Sequence, residues 1–133
     1  MAVDSFDPKA VNAPLTGSMI TELSALAKAA APPSCEELTL QPEQITRFAP
    51  YAAHNDWSVH TGTLSEAELL SLIRLFTLGE RQYATWAAGA KSPVVAMVSE
   101  LKSRNALPAD LNSWIKQHTK NRFLPYGDLI QRL

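Results

Sequence analysis

Only one cysteine, Cys35, occurs in the 133 residues, so neither an internal disulfide nor a cysteine-based metal cage is available. Glycine is scarce as well, with five in all, and neither GxGxxG nor GxxxxGK[ST] is among the patterns present. The nucleophile elbow GxSxG, the zinc motif HExxH and an EF-hand loop are missing too. Charge of one sign is not in excess: the formal net charge is -1, which gives no overall electrostatic reason to expect nucleic acid or an anionic membrane as partner. The longest uncharged run, Ala10 to Thr21, is interrupted by Pro14 and Gly17 and is too short and polar to span a bilayer. The opening residues carry Asp4 and Asp7 where a secretory signal has basic groups, so a cytoplasmic protein is expected.

What is abundant is alanine (19) and leucine (17), against 11 valines and isoleucines together. That balance favours helix over strand, and no sustained apolar/polar alternation or Asn-Gly hairpin signal opposes it. The expected fold is all-α: a compact single-domain bundle of five or six helices. Residues 1–15, with Pro8 and Pro14 and no periodicity, read as a flexible or draped arm before a helical domain over 16–133. The first helix is expected over Ser18 to Ala30, capped by Thr16 or Ser18 and stopped by Pro32-Pro33. A second begins at Pro42 and meets Pro50, whose ring should kink or restart it. The stretch from His54 to Gly62 reads as a loop.

The central helix has the strongest signature. Ser65 and Glu68 form a capping box, and apolar residues then recur from Leu69 through Phe76, Tyr83 and Trp86 to about Ala88. Leu70, Leu75 and Leu78 widen the apolar surface beyond one stripe, so the helix over about 65–88 is expected to be buried on most sides. Ser92-Pro93 opens the next helix, with Val94, Met97, Val98 and Leu101 facing inward. Another follows from Leu107-Pro108, with Leu111, Trp114, Ile115 and His118 on one face, and a last turn spans Asp128 to Leu133.

Two groups of residues could carry function. Asn121 to Gly127 gathers an amide, a guanidinium, two aromatics and a Pro-Tyr-Gly turn in seven residues, the composition that binding surfaces favour. With the preceding helix this makes Trp114, His118, Asn121, Arg122, Phe123 and Tyr126 the first candidate site, a surface for another protein. The bland alternative has Phe123 and Leu124 plugging the bundle while Asn121 and Arg122 cap carbonyls. The second candidate is a pocket at Glu80, Arg81, Tyr83 and Trp86, joined by His54 or His60, in which Glu80 acts as acid/base or anchor for a small ligand. Its bland alternative is a core ion pair between Glu80 and an arginine.

No catalytic residue, cofactor or metal site is assigned. His54 and His60 are six apart, not at the helical spacing that preorganises a metal site, and Cys35 lies beside Glu36 and Glu37, which oppose its ionisation. From Ala87 onward seven Lys/Arg face three acids, while the first 45 residues hold six acids and two lysines. That split places nucleic-acid binding third, behind a protein-binding or adaptor role and a small-ligand pocket. A homodimer is a further expectation, since the apolar surface is broad.

The blocks Phe76-Thr77-Leu78-Gly79-Glu80, Lys91-Ser92-Pro93-Val94, Trp114-Ile115-Lys116 and Asn121 to Gly127 resemble those of an uncharacterised family of small bacterial proteins, over roughly Leu64 to Leu133. The resemblance implies a helical, bacterial, cytoplasmic protein. The family has no assigned activity, so it transfers no site residues.

Overall fold

The computed structural model describes residues 14–33, 35–54, 56–121 and 123–125. Most of the expected arm, the candidate residues Arg122 and Tyr126, and the last turn at Asp128 to Leu133 lie outside them. Among the described residues there are six α-helices and no strand: α1 (Gly17–Ala30), α2 (Pro42–Phe48), α3 (Trp57–His60), α4 (Glu66–Gln82), α5 (Pro93–Ser103) and α6 (Leu111–His118). Short 3₁₀ turns at Ala49–Ala53, Thr61–Thr63, Ala84–Trp86 and Gly89–Lys91 connect them.

Helices α1, α4 and α5 start where their capping chemistry dictates. Thr16 Oγ1 accepts the Met19 amide at 3.1 Å, and Ser65 Oγ accepts that of Glu68 at 3.0 Å while the Glu68 carboxylate returns to the Ser65 amide at 2.8 Å. At α5, Pro93 occupies the first position and Ser92 Oγ takes the Val94 amide. Its other end turns through Asn105, whose φ of 56° is tolerated by a short amide side chain, and the Ala106 amide reaches back to the Leu101 carbonyl at 2.9 Å.

Helix α4 is the axis of the bundle, packed against α1 and α5 and, at its far end, α6. Leu69, Leu72, Ile73, Leu75, Phe76, Thr77, Leu78 and Gly79 are all buried, as the wide apolar surface demands. Complete burial of a Leu or Phe side chain is worth about 1.5–3 kcal/mol, so this row dominates the apolar core.

Three elements depart from expectation. The central helix stops at Gln82, six residues before Ala88. Tyr83 turns extended there, and Trp86 folds back over Gly79, with its indole N–H on the Ile45 carbonyl at 2.9 Å. Only glycine permits that approach, because a Cβ at residue 79 would sit 2.5 Å from Cζ3 of the Trp86 ring. The stretch over 54–62 is not a loop throughout but holds α3 and a 3₁₀ turn, anchored by Trp57, which is buried edge-on against Phe76 and donates to the Tyr51 carbonyl at 2.8 Å. Leu15, expected in the arm, is buried in the core.

Side chains also tie the connections to α4. Gln82 clamps the Leu38 backbone, accepting its amide at 2.6 Å and donating to its carbonyl at 2.9 Å. Arg74 donates to the Ala31 carbonyl at 2.8 Å and so caps the end of α1; burial lowers its pKa, an effect partly opposed by the nearby Cys35. On the surface Arg47 pairs with Glu22 at 2.8 Å, joining α2 to α1.

Candidate functional site

Glu80 lies in the last turn of α4, half-buried, facing the chain that follows. Its Oε2 accepts the backbone amides of Ala88 at 2.7 Å and Gly89 at 3.2 Å. The side-chain amide of Asn121 donates to both carboxylate oxygens, at 3.0 and 3.1 Å, and to the Gly89 carbonyl at 2.8 Å. Asn121 Oδ1 in turn accepts the Phe123 amide at 2.8 Å. The carboxylate therefore clasps three segments: α4, the turn at 88–89 and the chain after α6. Ala88, with φ of -131° and ψ of -20°, sets the two consecutive amides toward one oxygen, and Gly89 with φ of 59° then turns the chain away.

The arginine partner expected for Glu80 is elsewhere. Arg81 donates to the Glu36 carbonyl at 2.7 Å, and Arg74 is engaged at Ala31. Tyr83 and Trp86 meet edge to face at 5.7 Å, but Trp86 is buried against Gly79 and Phe76. The structure thus brings Glu80 together with Asn121, drawn from the other candidate group. Sequence reasoning missed this pair because the two residues are 41 positions apart and neither lies in a recognisable motif.

His54 and His60 are not beside Glu80. His54 Nδ1 accepts the Asp56 amide at 3.1 Å and its ring stacks on Tyr51, while His60 lies in α3. Among the described residues no three His, Cys, Asp or Glu side chains come together to hold a metal ion. The Cys35 thiol donates to the Glu37 carbonyl at 3.0 Å.

The first candidate surface is organised by α6. Leu111, Ile115 and His118 are buried, and Trp114 is half-buried between them. His118 Nδ1 sits 2.8 Å from the Trp114 carbonyl, which can only accept, so Nδ1 carries the proton. That bond holds the imidazole against the indole, centroids 4.4 Å apart and planes 21° apart. Lys116, Gln117 and Lys120 are exposed on the same stretch. Phe123 is half-buried over Gly89, and Leu124 is buried.

Among the described residues, cavities open between helices at two of the places they meet. One, of about 380 Å³, lies where α3 meets the start of α5, with His54, Ser58 and Lys91 at its edge and Trp57 below. The other, of about 530 Å³, runs between α1 and α4 past Ser24, Lys28, Glu68 and Ser71. Glu80, Tyr83 and Trp86 line neither. Among the described residues, no helix is long and apolar enough to cross a membrane.

No family model, curated protein or solved structure matches this chain.

Proposed function

We propose that the protein is a non-enzymatic binding module that docks an acidic surface of another protein through α6 and the segment after it, with Trp114 at the centre of the contact. The observation that carries this reading is the Trp114–His118 stack, in which a half-buried indole is held on a helix by a neighbour that is itself hydrogen-bonded and buried. An aromatic fixed before binding loses little rotamer freedom on association, and tryptophan is among the residues that concentrate binding energy. The exposed Lys116 and Lys120 supply a positive rim that steers an acidic partner. The Glu80–Asn121 clasp holds the following segment in register with the helix. That clasp also supports a structural role for Glu80 over an acid/base one, because both carboxylate oxygens already accept hydrogen bonds.

Capture from a native lysate tests the reading, with Trp114→Ala and Lys116→Glu/Lys120→Glu variants alongside. A stoichiometric protein is expected with the wild type, absent with the charge-reversed variant and weakened about tenfold or more by Trp114→Ala, roughly 1.4 kcal/mol. A partner retained equally by both variants overturns the reading. A second copy of the chain is the other occupant this face could take, and sedimentation of the purified protein separates the two.

A further inference from the structure

We infer that the cavity between α3 and α5 is a binding site for a small organic anion, a carboxylate or phosphate monoester carried on an apolar body. Its volume, about 380 Å³, falls in the range of small-ligand sites, which run from roughly 300 to 1,000 Å³. The floor is apolar, formed by Trp57, Pro93, Val95 and Ala96. The edge is polar and of one sign. Lys91 is there with the hydroxyls of Ser58 and Ser99, and among the described residues no Asp or Glu lines the cavity. The larger cavity between α1 and α4 lacks this bias, since it sets Glu68 against Lys28.

The side chains, not the helix amides, provide the donors. Pro93 has no N–H, the Val94 amide is used by Ser92 Oγ at 3.2 Å, and the Val95 amide by the Ser92 carbonyl at 3.1 Å. By contrast, the Lys91 ammonium and the hydroxyls of Ser58 and Ser99 have no hydrogen-bond partner among the described residues. Lys91 is delivered to the edge by the turn Gly89–Lys91, whose entry is pinned by Glu80 through the Ala88 and Gly89 amides. A cation placed at the edge by a fixed turn meets an anionic head group, while the half-buried Val95 and Ala96 beside it contact the apolar body. The positive end of the α5 dipole adds to the attraction.

Titrations of the full chain followed by ¹H–¹⁵N correlation spectra test this, with phenyl phosphate, benzoate, inorganic phosphate and benzyl alcohol as probes. Saturable shifts are expected at the amides of Ser58, Ala96 and Ser99 with phenyl phosphate or benzoate, at a Kd of about 1 mM or tighter. Whichever of the two binds more tightly identifies the head group. Lys91→Gln, at an exposed position, should weaken binding about tenfold and leave the spectrum of the free protein otherwise intact. Four results overturn the inference: no saturable shift with either organic anion, shifts indifferent to Lys91→Gln, benzyl alcohol binding as tightly, or inorganic phosphate matching phenyl phosphate.

Discussion

Replacing Gly79 with alanine puts a methyl group where the six-membered ring of Trp86 lies. On an isolated helix the change would help, by about 1 kcal/mol, because alanine lowers the entropy lost on folding. Here Gly79 is buried in α4 and its new Cβ would meet Cζ3 of Trp86 at 2.5 Å, a distance at which the ring must move. Overpacking of a dense core costs about 1–3 kcal/mol. Moving the ring also stretches its N–H bond to the Ile45 carbonyl, and a buried donor left unpaired adds about 1–3 kcal/mol. With the propensity gain of about 1 kcal/mol set against these two costs, Gly79→Ala is expected to destabilise by about 1–5 kcal/mol. Urea unfolding monitored by circular dichroism measures it, with Gly17→Ala as the control. At Gly17 nothing lies within 4 Å of the added Cβ, so that variant should match the wild type or gain a few tenths of a kcal/mol, about 0.4–1 at most. A Gly79→Ala protein as stable as the wild type would refute the reasoning, and so would one whose loss Gly17→Ala reproduces.

Glu80→Ala strands the amides of Ala88 and Gly89 and one side of Asn121, and should cost about 1–3 kcal/mol in urea unfolding, with faster hydrogen exchange at 88–89 and across α6. Ser65→Ala removes the cap of α4 and should cost about 1 kcal/mol, seen as a lower urea midpoint at unchanged slope. The hydrogen bond from Arg47 holds the Glu22 carboxyl below its ordinary 4.5. Its small contribution to stability is therefore present above the unfolded-state value and lost as pH falls through the folded one. Thermal melts of wild type and Glu22→Gln should differ most at neutral pH and converge in acid; a gap that widens in acid would contradict the sign.

Much of this architecture is legible in the residues themselves. Ser65, Glu68, Ser92 and Pro93 announce two helix starts through local hydrogen-bonding chemistry, which needs no tertiary partner. The buried faces of α4 and α5 follow from periodicity in the same way. The end of α4 does not, because Tyr83 and Trp86 continue the helical spacing by coincidence while Trp86 is claimed by Ile45, 41 residues away. The one local signal was Gly79, a glycine inside a helix, which marks close approach of another group. α3 was hidden for a similar reason: its four residues carry little propensity, and burial of Trp57 holds the turn. Of the candidate residues, Trp114 and His118 could be placed together by spacing alone, whereas the joining of Glu80 to Asn121 depends on how α6 packs against α4.

The Glu80 clasp has a consequence for the order of folding. Its partners stand 8, 9 and 41 residues along the chain, so the carboxylate is fully satisfied only after α6 has packed against α4. A contact completed after the barrier is crossed leaves the refolding rate nearly untouched and appears in the rate of unfolding. If α6 docks after that barrier, Glu80 is a late lock on the finished bundle, and Glu80→Ala should speed unfolding while leaving the refolding rate nearly unchanged.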